Sequence, residues 1–277
     1  MKNLLTSILL ASILLLSWGC SSPKAEDLKQ DDDYLEQAKV YLQQAVQLLM
    51  NGQEAEGAEY LQRAITSSNE ALKRNPNSAA AYRTLGSIYV FQKKTDLAMT
   101  SLNKAIELDP NDAESYKWRA TTYAQQGKIE PAIADLDKTL TIDPRNAEAY
   151  TARGILLNEK QKFDLAIDDF TKAIELKPQA VLYHYRASAH IGKAAKMIGT
   201  QETSTLFEKA INDWTKAIEI DPSLLHAYFM RGYAYFEMKQ WDLATPDLKK
   251  VAELSDDPRT KERAESLLKE IADKQKR

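Results

Sequence analysis

Three histidines, a single cysteine and several neighbouring carboxylates are the side chains of this 277-residue chain that could support metal, nucleophilic or acid–base chemistry. A zinc-type site needs three or four His, Cys or carboxylate ligands brought to one point, commonly from paired motifs. His184, His190 and His226 stand in no H-x-x-x-H pair, and Cys20 has no second cysteine to join it. Paired carboxylates such as Asp168-Asp169 fall on a polar helix surface, where two solvated charges are the expected state. Neither a G-x-S-x-G nucleophile turn nor a Gly-rich phosphate loop is present. The chain is therefore expected not to be an enzyme: no catalytic residue, no metal, no cofactor and no small-molecule substrate.

The scaffold around these residues is legible in the composition. Lys and Arg total 37 against 40 Asp and Glu, a formal charge of -3, and the two signs alternate finely along the chain. A nucleic-acid partner calls for a basic stripe or patch, so none is expected. Hydrophobic residues make up 44%, enough for a core, while Gly and Pro number only 9 each. That balance predicts an all-α fold of helices joined by short turns.

Pro76, Pro110, Pro144 and Pro178 recur every 34 residues. The stretches 104–110, 138–144, 172–178 and 216–222 read KAIELDP, KTLTIDP, KAIELKP and KAIEIDP. A period of this length marks stacked units, each leaving an apolar face that only its neighbour can cover. The first unit places Tyr82, Leu85, Gly86 and Tyr89 on one helical stripe, followed by Ala98, Leu102, Ala105 and Pro110. Later copies offer Tyr116, Ala120, Tyr123, Ala132 and Leu136, then Tyr150, Gly154, Leu157, Ala166 and Phe170, and finally Tyr228, Gly232, Tyr235, Ala244 and Leu248.

Over about two thirds of the chain this pattern resembles the tetratricopeptide repeat (TPR) family. The resemblance implies a right-handed superhelical solenoid of antiparallel helix hairpins. Its units are expected at 79–112, 113–146, 147–180, 181–224 and 225–257, after an irregular hairpin at 34–76 and before a capping helix at 258–277. Gly86 and Ala98 are expected where two helix backbones cross. Arg119, Arg153, Arg186 and Arg231 fill a slot where the family favours Leu, with stems expected on apolar surface and heads in water. The fourth unit breaks the period, and about eleven extra residues around 193–208 are expected to form a loop near 199–204. That loop is either a partner contact or a neutral extension.

In this family the first helices line a concave groove, which implies a protein or peptide partner. The face opposite the buried stripe offers Arg83, Ser87, Lys117, Trp118, Thr121, Thr151 and Ile155, then His184, Tyr185, Ser188, Phe229, Met230 and Tyr233. Aromatic residues and Met gather toward its C-terminal half, a composition suited to gripping a peptide. The same side chains could instead complete packing between neighbouring first helices. Chaperone-binding relatives hold a C-terminal carboxylate with Lys and Asn, and here those positions read Arg83, Ser87, Ala152, Val181 and Tyr185, so that ligand is not expected. The function implied is a protein-interaction adaptor, or alternatively a structural or assembly subunit of an outer-membrane, pilus or secretion complex.

The first 19 residues read as a signal peptide, with Lys2 ahead of an apolar run ending at Leu16. That run is shorter than the roughly 20 residues a membrane-crossing helix needs. Cys20 after Gly19 resembles the lipobox of bacterial lipoproteins, implying lipidation of Cys20 and a membrane anchor. Ser17 and Trp18 depart from that pattern, which leaves an ordinary cleaved signal as the other reading. Residues 20–33 form an expected tether, too polar to offset the entropy of ordering. Ser21 in place of Asp implies export to the outer membrane, facing the periplasm.

Overall fold

The computed structural model describes residues 34–197 and 199–276. The expected signal peptide, Cys20 and the expected tether lie outside the described residues. Thirteen helices and no strand are found among the described residues. The first two, α1 (Tyr34–Met50) and α2 (Glu54–Arg74), pair as the irregular hairpin. Four hairpins then follow the period: α3 (Ala79–Phe91) with α4 (Thr95–Leu108), α5 (Ala113–Gln125) with α6 (Ile129–Ile142), α7 (Ala147–Glu159) with α8 (Phe163–Leu176), and α11 (Leu225–Glu237) with α12 (Trp241–Leu254). A longer pair, α9 (Ala180–Lys196) and α10 (Gln201–Ile220), precedes α11, and α13 (Pro258–Gln275) ends the array. Compactness divides the chain into one unit ending at Ala149 and a second beginning at Tyr150.

Two kinds of turn punctuate the helices, each written in local chemistry. Inside a hairpin, the backbone turns left-handed at Lys93, Gly127, Gln161 and Lys239. The next residue's N–H then bonds five residues back, from Lys94 to Tyr89, Lys128 to Tyr123, Lys162 to Leu157 and Gln240 to Tyr235, each at 2.9 Å. This is the Schellman closure, which satisfies carbonyls the helix end would otherwise orphan. Between hairpins, Asp109 and Asp221 are held in extended backbone by the following proline. The carboxylates of Asp109, Asp143 and Asp221 accept from the backbone N–H two residues on, at 2.9–3.0 Å, closing Asx turns.

In the first unit the core runs through Ala45, Leu61, Ala64, Ile65, Leu85 and Ile88 and continues to Val90, Ala98 and Leu102. In the second, Trp214 sits fully buried among Ala187, Ala210, Ala217, Ala227 and Ala234. There α13 covers the last hairpin with Ala264, Leu267 and Ile271, while its remaining side chains are mostly solvated.

The extra residues do not make the loop expected at 199–204. They lengthen both helices: α9 has 17 residues where the regular first helices have 13, and α10 has 20 where the second helices have 14. The apolar period simply continues, and Ala194 and Leu206 are both buried, so the extension carries its own small core.

Candidate functional site

Two adjacent residues on each first helix decide how it seats on its second helix. A Cβ added at Gly86 would lie 2.5 Å from Leu102 Cγ, one at Gly154 would lie 2.8 Å from the Phe170 ring, and one at Gly232 would lie 3.0 Å from Leu248 Cγ. In each case the obstacle is a large side chain sixteen residues on. Gly86 thus makes room for the Leu102 side chain of the opposing helix.

The residue before the small one is Arg119, Arg153, Arg186 or Arg231, and its guanidinium grips Asp135, Asp169, Asp213 or Asp247 on the second helix. Nε and Nη2 each donate to a separate carboxylate oxygen at 2.7–2.9 Å. The four aspartates are buried. The arginine heads are therefore held by carboxylates, although their side chains keep 17–23% exposure, and Asp169 is no solvated carboxylate; only its neighbour Asp168 is exposed. A buried carboxylate facing the stem supplies both acceptors of a planar fork, which is why Arg replaces Leu here. Each guanidinium also lies 5.5–5.7 Å from the ring of the tyrosine one turn earlier. The carboxylate hydrogen bonds push the pKa of Arg119, Arg186 and Arg231 further up. The first repeat carries Leu85 and Ser101 at the two positions, so both charges are missing together. The recurring Arg-to-Asp interval of 16, stretched to 27 between Arg186 and Asp213 by the insertion, is the sequence signal that would have revealed the pairs.

The expected groove residues fare differently in the two units. In the first, α3 also touches α5, so the face opposite the hairpin interior is partly covered. Ser87 is buried with its hydroxyl on the Thr84 carbonyl at 2.8 Å, and Thr121 is buried on the Lys117 carbonyl at 3.1 Å. Lys117 is only 4% exposed, its ammonium 2.7 Å from Glu114 and 2.5 Å from Glu148. Burial would lower its pKa, but the two glutamates outweigh burial and raise it. Arg83 reaches Asp112 at 2.7 Å, and half-buried Trp118 stands edge-on to Phe91 at 5.6 Å, against Val90, Ala98 and Leu102.

In the second unit Thr151 and Ile155 are likewise buried. Ser87, Lys117, Thr121, Thr151 and Ile155 are thus corrected from ligand-facing positions to packing and pairing within the chain. The expected groove residues of α9 and α11, His184, Tyr185, Ser188, Phe229, Met230 and Tyr233, are instead half-buried. Ser188 donates to the His184 carbonyl at 2.9 Å. His184 accepts through Nδ1 from the indole N–H of Trp214 at 3.1 Å, and its ring meets His226 edge-on at 4.8 Å. Burial and then the neighbouring His226 push the His184 pKa down to about 4. With Nδ1 accepting, the neutral ring carries its proton on Nε2, so neither nitrogen offers a free lone pair. Tyr185 lies 5.7 Å from the Phe170 ring, and burial pushes its hydroxyl up to about 12. Phe229 and Tyr233 lean on the core of α12 and α13, while Met230 leans on that of α9 and α10. The arrangement is an apolar, aromatic surface without an acid–base or nucleophilic constellation.

Family models of the tetratricopeptide repeat match residues 86–127, 120–158, 147–179 and 225–258, stopping and resuming on either side of the lengthened hairpin. The chain is a tetratricopeptide repeat protein. No curated protein matches it. Among solved structures, pilF of Pseudomonas aeruginosa is 16% identical with a TM-score of 0.62, covering 84% of this chain and 98% of its own. MamA of Desulfovibrio magneticus RS-1 is 21% identical with a TM-score of 0.56, covering 64% of this chain and 94% of its own. The APC/C hetero-tetramer Cut9-Hcn1 is 17% identical with a TM-score of 0.61, and the match spans 96% of this chain but 48% of that one. At such identities the likeness is one of fold.

Proposed function

We propose that the protein is an interaction adaptor that holds a partner polypeptide against the first-helix face of its second unit. We further propose that it works at a bacterial envelope membrane, exported by residues 1–19 and anchored in the outer membrane, facing the periplasm, by a lipid on Cys20. One observation carries the binding role: Tyr185, Phe229, Met230 and Tyr233 are large side chains of the first helices that stay partly exposed. Half-exposed aromatics and Met are the residue types that interfaces use as anchors, and Met adapts to varied partners. The lipobox-like placement of Cys20 supports the anchor.

A photo-crosslinking side chain at position 229 tests the binding role. It should give discrete adducts that disappear when Met230→Ser and Tyr233→Ser are added, whereas the same adducts from exposed position 209 would sink the reading. Adducts with one fixed multisubunit complex would make the protein an assembly subunit; varied partners would make it an adaptor. Incorporation of a palmitate analogue should be lost in Cys20→Ala, and continued labelling would rule out lipidation at that residue.

A further inference from the structure

The lengthened hairpin does something no regular unit can. The other complete first helices stop at 13 residues, level with their inner turn, whereas α9 runs on and overhangs the start of α8. Its last turn is pinned there. Lys193 pairs with Asp164 at 2.8 Å, Lys196 donates to the Gln161 carbonyl at 3.3 Å, and Gly192 leaves no room for a Cβ against the Phe163 ring. Between overhang and α8 lies a cleft of about 400 Å³, lined by Phe163, Leu165, Met197, Lys162, Lys193 and Lys196 together with Gln161 and Asp164.

The chemistry of the cleft is two-sided. Its floor is apolar: the Phe163 ring and Met197 are half-buried, and Leu165 is 53% exposed, among the most exposed large hydrophobic residues described. Its rim is cationic. Lys193 is matched by Asp164 and by Glu202 at 3.4 Å, but Lys162 and Lys196 are in no ion pair among the described residues. The Lys196 ammonium has only the face of Phe163, 5.0 Å away, and a carbonyl. Two unmatched ammonium groups beside exposed apolar surface complement a carboxylate next to a large apolar side chain. The volume, at the low end for ligand pockets, suits a few residues of extended chain.

We infer that this cleft is a second protein-binding site, separate from the aromatic face, whose occupant is a short acidic-apolar peptide segment of a partner protein. The insertion that interrupts the repeat is then the element that builds the site, and the close contact at Gly192 is what lets the overhang approach.

The test uses the full chain and a capped octapeptide alternating Glu with Leu and Phe, with a Lys-for-Glu version as control. The acidic peptide should slow amide hydrogen exchange at 161–165 and 193–197, and its affinity should fall as salt rises. The double variant K162E with K196E should weaken it by about tenfold or more, and Leu165→Ser by several-fold. Because Lys196 also touches Phe163, Lys162→Glu alone serves as the variant that leaves the overhang intact, and it should weaken binding as well. Equal binding of the Lys peptide, unchanged affinity in Lys162→Glu, or protection confined to residues around Phe229 would overturn the inference. So would absence of binding at millimolar peptide, or a preference for anionic phosphatidylglycerol vesicles over the peptide. Variants of Phe229, Met230 and Tyr233 should leave this binding unchanged, so its failure and that of the aromatic face are read separately.

Discussion

Arg119 and Asp135 meet at two points, with Nε and Nη2 each 2.8 Å from a carboxylate oxygen, and Nη1 of the same arginine reaches Asn103 on the preceding hairpin at 2.8 Å. One guanidinium thus ties three helices of the first unit, α4, α5 and α6. Arg186 and Arg231 do the same in the second unit, through Thr171 and Thr215.

Removing one partner of such a pair should hurt far more than removing both. Asp135→Ala leaves a largely buried cation with no carboxylate, and the expected cost is about 2–4 kcal/mol, below the fully buried limit because Arg119 keeps some exposure. The double change Arg119→Leu with Asp135→Ser recreates what the first repeat already carries as Leu85 and Ser101, and should fall within about 1 kcal/mol of wild type. Urea unfolding midpoints decide it. If the double variant is as unstable as Asp135→Ala, the two positions do not work as an exchangeable pair.

Gly154 and Phe170 make a second such exchange. An alanine Cβ at 154 would lie 2.8 Å from a ring atom that has no flexible end to withdraw, so Gly154→Ala should destabilise by about 1–2 kcal/mol despite the better helix propensity of alanine. Adding Phe170→Leu should recover most of the loss, because Ala120 with Leu136 is that combination in the second repeat. Thermal melting of the three proteins is the measurement, and a stabilised Gly154→Ala would show that the helices separate freely.

These pairs also explain what could and could not be read from the chain. The hairpins were legible because their punctuation is local: an Asp before Pro110, Pro144 and Pro222, and a period of 34, each fix a turn without reference to anything distant. Asp135 and Asp169 were not, since a lone aspartate on an amphipathic helix is ordinarily solvated and its partner lies sixteen residues back across a turn. The groove was misread at Lys117 and Thr121 for a related reason. A helical wheel supplies one face opposite another, but α5 meets neighbours on more than one side, so that its second face is partly covered too. Gly199, Thr200 and Ser204 suggested a loop, yet Leu206, Phe207 and Ala210 keep helical spacing and draw the chain into α10.

The contacts of Trp118 predict a packing role rather than a ligand-binding one. Its ring stands edge-on to Phe91 and fills space beside Val90, Ala98 and Leu102. Trp118→Ala should therefore lower stability by about 2–4 kcal/mol, and Trp118→Phe should restore at least half of it. A Trp118→Ala protein with an unchanged urea midpoint that no longer captures partner would return this residue to the binding surface.

The three histidines all lie in the second unit. Burial pushes His184 and His190 down to about 4 and also lowers His226. In the unfolded chain each returns to its ordinary value near 6.5, so between about 6.5 and 4 the unfolded state binds protons that the folded state refuses. Stability should then fall as pH drops through that window, by at most about 1.4 kcal/mol per pH unit for His184 and for His190. His190 is the sharper case. Its Nδ1 is buried without a hydrogen-bond partner among the described residues, and Asp213, 4.0 Å from its Nε2, is already committed to Arg186. Burial opposes protonation there more than the Asp213 charge favours it, and the Lys209, Arg186 and Lys193 charges add to the opposition. His190→Leu should raise the urea midpoint at pH 5 more than at pH 7.5. An equal gain at both values would mean that His190 takes up its proton in the folded state as readily as in the unfolded one.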